Sequence, residues 1–282
     1  MIDLHTHSTV SDGSEAPERV VELAAGAGLS AVALTDHDRL DGIGPAARRA
    51  GEVGVDLVAG CELSCEHPAT MHVLVYFLGP GGGAGDGPLE RELVRLQRAR
   101  DTRNQRMATL LGELGLPVTY AEIEEEAGGI GAGRPHVASI LVRKGVVGSV
   151  QEAFDTWLAK GRPGYMDKER LDAATALRLA RDSGATPVLA HPLSLELEGP
   201  RLESAVRELA DLGLVGVEAI YGRYSGEERT EISDLAKRCG LVVTGGSDYH
   251  GTYKPDLEVG TGRGDLAVPD TVLDDLREHA GG

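Results

Sequence analysis

The chain carries metal-type donors at short, repeated spacings. It has nine histidines. His5 and His7 form an H-x-H pair near the start, and the period of two of a strand sets both imidazoles on one side. Asp3 shares that parity and is placed to support a ligating imidazole from behind. Asp12 follows in SDGS. His37 lies in Thr35–Asp36–His37–Asp38 after the apolar run AVAL, and Glu62 closes Gly60–Cys61–Glu62 after LVA. His72 opens HVLVYFLG, His191 stands between Ala190 and Pro192 after PVL, and Asp248 and His250, again two apart, follow LVVTGG. Each taken alone has a plain reading as a turn residue, a helix cap or a satisfied histidine. Six such motifs in series, each at the edge of an apolar run, read as a polynuclear metal site. Imidazoles and carboxylates without a thiolate suit Mn, Fe, Zn or Mg. The rival is a zinc knuckle of Cys61, Cys65, His67 and His72. Against it, Cys61 and Glu62 face opposite sides of a strand, and the other histidines are left unexplained. Cys239, at a helix end, reads as core, and His67 and His279 read as exposed.

The elements that must position these residues follow from the hydrophobic pattern. Strand-like runs cover residues 1–4, 31–35, 57–62, 72–78, 187–190, 215–220 and 241–245. Helical periodicity covers 17–26, with Ser14 as its N-cap, and 44–50, 173–183, 202–212 and 227–239. Strands alternating with helices predict parallel strands joined by right-handed crossovers. The fold expected is α/β, an irregular seven-stranded barrel with its site at the C-terminal strand ends. The alternation breaks after a Gly-rich loop at 79–88, which reads as mobile. A long helix over 89–114 and three further helical pieces follow. We read 98–165 as a small helical insertion, or cap, and 1–97 and 166–282 as the two parts of the barrel. The acidic run 122–126 reads as a solvated helix face.

Composition narrows the class. A chain of 282 residues suits one large domain with an insert. The net charge of 28 − 45 = −17 argues against duplex DNA as a partner, which needs a basic track. Bound divalent ions can still reverse the field locally and admit an anionic substrate. No apolar run approaches the ~20 residues of a membrane span, and no basic-then-apolar segment opens the chain. Three cysteines make no disulfide framework. A cytoplasmic protein is expected.

HTHSTVSDGS, LTDHD, GCE, MH, LAHP and GSDYHG occur in this order over most of the barrel portion. The series resembles that of the PHP family (polymerase and histidinol phosphatase). The resemblance implies a seven-stranded barrel holding three divalent metals, manganese among the commonest. It implies His5, His7, Glu62 and Asp248 as ligands of the first metal and Asp12, His37 and His250 as ligands of the second. For the third it implies Glu62 as a bridging ligand with His72 and His191. The insert, with Gly133–Arg134–Pro135–His136 and Gly161–Arg162–Pro163, is similar to that of family members acting on 3′,5′-nucleoside bisphosphates. Members of that group also trim 5′-phosphorylated short RNA in the 5′→3′ direction. The similarity implies that the insert caps the metal site and that Arg134 and His136 contact the substrate. No role is assigned to Arg162, Arg223 or Lys254. The activity expected is metal-assisted hydrolysis of the 3′-phosphate of a nucleotide such as pAp. Histidinol-phosphate phosphatase on the same fold, a processive nuclease and a non-catalytic metal-stabilised module stay open as alternatives. The cap argues against the first, and the charge against the second. The whole ligand set, in a chain too short for a polymerase, argues against the third.

The cysteines are assigned no chemistry. Cys61→Ser combined with Cys65→Ser is therefore expected to keep its bound metal by elemental analysis. Loss of the metal would restore the zinc knuckle.

Overall fold

A computed structural model of the chain describes residues 1–77, 87–128 and 132–279. Residue contacts divide it into two units, Met1–Leu93 with Arg170–Gly282, and Val94–Glu169.

The first unit is built on β1 (Ile2–Thr6), β2 (Ala31–Leu34), β3 (Asp56–Cys65), β4 (Met71–Tyr76), β5 (Thr186–Leu189), β6 (Gly216–Tyr221) and β7 (Val242–Gly246). Among the described residues these form one seven-stranded sheet in sequence order. The sheet curls back on itself. The Asp248 N–H donates to the His5 carbonyl at 2.8 Å and the His7 N–H to the Tyr249 carbonyl at 2.9 Å, joining the end of β7 to β1. The result is the expected seven-stranded α/β barrel, nearly closed.

Strand polarity departs from the expectation. β1 with β2, β2 with β3, β5 with β6 and β6 with β7 are parallel, but β4 is antiparallel to both β3 and β5. The cause is length. Only residues 66–70 join β3 to β4, whereas a parallel crossover needs about a dozen or more. The strand expected over 72–78 ends at Tyr76. Leu78 and most of the Gly-rich loop, 79–86, lie outside the described residues.

One apolar cluster fills the barrel, with Ile2, Leu4, Ala33, Val58, Leu74, Tyr76 and Val188 from the strands. Val272, Leu273 and Leu276 of the C-terminal helix Thr271–His279 join it. A bridge from Ile2 to Val268 brings that segment to the N-terminal end of β1. A second cluster packs α1 (Pro17–Gly26) and α2 (Ile43–Val53) on Val32 and Leu34 of β2. Each fully buried Leu or Val contributes roughly 1.5–3 kcal/mol, so this apolar half can sustain a polar rim. The N-cap of α1 is Ala16, without a side-chain cap bond, rather than Ser14. The Ser14 hydroxyl instead accepts the Thr252 N–H at 3.0 Å. Cys239 caps the helix Gly226–Arg238 and is half-buried rather than core.

The second unit has its own core, with Met107, Leu111, Ile123, Val137, Ile140, Leu141 and Leu158 buried. It comprises most of α3 (Pro88–Glu113), then α4 (Tyr120–Glu126), α5 (Arg134–Arg143) and the short α6 (Val150–Ala153), which runs on into a wider turn over Phe154–Leu158. The acidic run lies on α4. There Ile123 is buried and Glu122 closes a reciprocal cap with Thr119.

Backbones meet closely where β7 crosses β1. A Cβ on Gly246 would lie 2.4 Å from the His5 Cβ and 2.5 Å from its backbone nitrogen. Gly246→Ala is expected to destabilise the protein by about 1–3 kcal/mol in urea denaturation. Gly226→Ala should stay within about 0.5 kcal/mol, because a Cβ there meets nothing within 4 Å. Equal effects at the two positions would contradict this closure.

Candidate metal centre

Every histidine and carboxylate of the six motifs reaches one rim of the barrel. His5 and His7 end β1, His37 follows β2, Glu62 lies within β3, His191 follows β5, and Asp248 and His250 follow β7. These sites lie toward the C-terminal ends of parallel strands. His72 instead opens β4. Because β4 runs the other way, its first residues pair with the last of β3, His72 opposite Ser64. Strand reversal thus carries the imidazole to the same rim.

Glu62, 1 % exposed, is the hub. Its Oε2 lies 3.2 Å from His5 Nε2, 3.1 Å from His7 Nε2 and 3.2 Å from His37 Nδ1. Its Oε1 lies 2.8 Å from His72 Nδ1 and 3.0 Å from His191 Nε2. Asp248 Oδ1 adds contacts of 3.5 Å to His5 Nε2 and 3.4 Å to His7 Nε2. The two Nε2 atoms are 3.1 Å apart. Donor atoms about 2.0–2.1 Å from a tetrahedral ion stand roughly 3.3–3.4 Å from one another, so His5, His7, Glu62 and Asp248 have the spacing of a four-ligand shell. A second group joins Asp12 to His250 Nε2 at 3.3 Å, His7 Nδ1 at 3.7 Å and His37 Nε2 at 3.8 Å. A third compact group is His37, Glu62 and His72.

His37 Nδ1 is buried and makes no hydrogen bond, as a ring nitrogen committed to a cation would. His191 touches Glu62 but joins none of the three compact groups, and its Nδ1 is engaged by Ser194 Oγ at 2.9 Å. Neither Cys61 nor Cys65 enters any of these groups among the described residues. His67 is half-buried rather than exposed, and its ring accepts the Ala69 N–H at 3.2 Å.

The rim strains the backbone. His191, Asp248 and Asp38 hold φ of 27°, 56° and 53°, a region that costs non-glycine residues of order 1–3 kcal/mol. The aspartates beside His37 are anchors. Asp36 accepts from the Ser8 N–H and from the Ser8 and Ser11 hydroxyls, and Asp38 from the Ser64 N–H.

Asp3 does not back an imidazole. It accepts from the backbone N–H groups of His5, Ser247 and Gly260. The period of two does not hold across this stretch: Asp3 pairs with Val32 but Thr6 with Leu34, an irregularity between Asp3 and Thr6. Two buried groups escaped the sequence reading. Glu218 on β6 lies 2.8 Å from His5 Nδ1, and the Tyr221 hydroxyl donates to Asp248 Oδ2 at 2.7 Å. A glutamate interrupting the apolar run VEAIY was the available signal for Glu218. Lys254 donates to the same Oδ2 at 2.5 Å, while Arg223 pairs with Asp256. Arg134 and His136 belong to the helical unit. The Arg134 guanidinium donates to the Leu158 carbonyl and stands 5.1 Å from the Tyr165 ring centre. His136 is buried and its Nδ1 accepts the Gly133 N–H.

Charge is divided across the cluster. Burial opposes the His5 and His7 cations, but Glu218, Glu62 and Asp248 outweigh it at His5, and Asp248, Glu62 and Asp12 at His7. His5 is held well above its ordinary range and His7 at about 9. Burial, which the carboxylates do not overcome, pushes His37 down to about 3 and also lowers His250. Burial likewise opposes the charge on Asp12, Glu62 and Asp248. Surrounding imidazoles, with Lys254 at Asp248, still hold all three well below the usual carboxylate range.

Barrel and centre together define a metal-dependent hydrolase of phosphoester bonds. The PHP domain family matches over residues 3–127. A phosphoribosyl 1,2-cyclic phosphate 1,2-diphosphodiesterase of Eggerthella lenta is 31 % identical, across 89 % of this chain and 94 % of its own. A 5′-3′ exoribonuclease of Haemophilus influenzae is 30 % identical (88 % and 89 %) and a 3′,5′-nucleoside bisphosphate phosphatase of Chromobacterium violaceum 28 % identical (92 % and 90 %). A crystal structure described as a metal-dependent phosphoesterase of Bifidobacterium adolescentis superposes with a TM-score of 0.85 at 26 % identity, covering 99 % of this chain and 96 % of that one. The chain belongs to the PHP family. Among the described residues no helix is long and apolar enough to cross a membrane.

If His7 is a ligand, metal binding displaces the proton that it holds up to about pH 9, while the carboxylates, already ionised, take up none in exchange. Apparent affinity for a divalent ion is therefore expected to rise from pH 6.5 to 9, by up to tenfold per unit for each proton released. In the metal-free protein the sign is opposite. The raised His7 stabilises the fold below about pH 6.5 and loses that contribution as pH climbs through about 9. Competition titrations at several pH values test the first point; a flat profile would remove His7 from the ligands.

Proposed function

We propose that the chain hydrolyses the 3′-phosphate of nucleoside 3′,5′-bisphosphates, converting pAp to 5′-AMP and phosphate, and that it shortens 5′-phosphorylated RNA from its 5′ end. The observation that carries the hydrolytic reading is the gathering of imidazoles and carboxylates around Glu62. The substrate follows the relatives named for bisphosphate hydrolysis and exoribonuclease activity. We assign three divalent ions, manganese being the best suited. His5, His7, Glu62 and Asp248 hold the first; Asp12, His37 and His250 the second; Glu62, His72 and His191 the third.

Such ions supply Lewis-acid polarisation of water and of phosphoryl oxygens. The chain's own residues do the rest. Glu62 keeps five imidazoles facing inward. Tyr221 and Lys254 occupy Asp248 Oδ2 and leave Oδ1 for the centre. Arg134 and His136 are assigned, on the resemblance, to the non-reacting 5′-phosphate, whose binding positions the reacting ester.

A second reading is hydrolysis of a cyclic phosphodiester, favoured by the relative from Eggerthella lenta at 31 % identity. Product analysis of pAp, 3′-AMP and phosphoribosyl 1,2-cyclic phosphate after incubation with manganese-loaded protein, scoring the ring-opened monoester as well as free phosphate, separates the two. We expect about three metals per chain, and pAp cut far more efficiently than 3′-AMP. Arg134→Ala should cost about 2 kcal/mol in kcat/KM for pAp and little for 3′-AMP. Equal use of pAp and 3′-AMP would sink the proposal, and turnover of the cyclic ester with pAp untouched would establish the second reading.

A further inference from the structure

Glu218 is fully buried on β6, in the middle of an otherwise apolar strand. Each of its oxygens has its own donor. Oε1 accepts from His5 Nδ1 at 2.8 Å, and Oε2 from the backbone N–H of His191 at 2.9 Å. His5 is one of the two imidazoles of the four-donor group, and His191 is the residue held at φ 27°. One carboxylate therefore reaches both β1 and the turn after β5. The sheet brings it there. The pairing of β6 with β7 shifts register between Glu218 and Ile220, as β-strands do where a side chain is re-aimed toward a site.

We infer that Glu218 is a positioning residue for two metal-binding elements at once. By accepting the Nδ1 proton of His5 it fixes the tautomer that leaves the Nε2 lone pair facing Glu62 and Asp248. By accepting the His191 N–H it holds the strained turn that aims His191 Nε2 at Glu62. Glutamine cannot replace it. Turned one way, the amide oxygen serves His5 and the NH2 group meets the His191 N–H, donor against donor. Turned the other way, the NH2 group meets the His5 Nδ1–H. Aspartate is one methylene too short to reach both donors. The inference rests on the metal-centre reading above, and the test separates the two.

Manganese and zinc affinities of the unmodified protein, Glu218→Gln and Glu218→Asp are measured by competition with a chromophoric chelator, alongside the melting temperatures of the metal-free forms. We expect both variants to bind 10–100-fold more weakly, with Glu218→Gln keeping a cooperative melt. If the unmodified protein binds no divalent ion, the metal-centre reading fails. If it binds and a folded Glu218→Gln binds equally well, Glu218 has no positioning role. A check independent of whether the variants fold is 1H–15N NMR of histidine in the zinc-loaded native protein. His5 is expected to carry its proton on Nδ1, and a proton on Nε2 overturns the inference.

Discussion

The rim of this barrel depends on one buried carboxylate. Glu62 stands among five imidazoles, all within 3.2 Å of its two oxygens. A lone buried anion is costly, and so is a crowd of buried imidazoles of which more than a few are charged. Their mutual placement resolves both problems in part. Protons concentrate on His5 and His7, next to the carboxylates, and are driven from His37 and His250, where burial prevails. Bound divalent cations would complete the balance by neutralising the carboxylates without protonating the rings. Stability resides elsewhere, in the apolar cluster beneath the rim.

Geometry at the rim is obtained by departures from regular structure. A uniformly parallel sheet would leave the first residues of β4, and with them His72, at the far end. Antiparallel β4 brings them up beside Glu62. Register irregularities occur in β1 next to His5 and in β6 next to Glu218. Left-handed backbone occurs at His191, Asp248 and Asp38. The left-handed residues cost folding free energy, and they and the register shifts are adjacent to a candidate ligand or an anchoring carboxylate.

Reaction class and substrate choice have different bases here. Relatives named for a bisphosphate, an RNA end and a cyclic phosphate cover about nine-tenths of the chain at comparable identity. Scaffold and donor set therefore define phosphoester hydrolysis, while groups beyond the donor set select the ester.

The local pattern alone determined a good deal. Seven apolar runs marked all seven strands to within a few residues, because alternation of strand and helix leaves short buried segments with clear edges. H-x-H, GCE and DYH marked the candidate donors, because ligand chemistry restricts residue type. Strand polarity, the register shift between Asp3 and Thr6, and the carboxylate behind His5 were decided by tertiary structure. Polarity turns on whether residues 66–70 can span a crossover. The shift depends on how β1 registers against β2. Glu218 meets His5 across 213 positions of sequence, and nothing local to either residue specifies a contact that exists only once the sheet has closed.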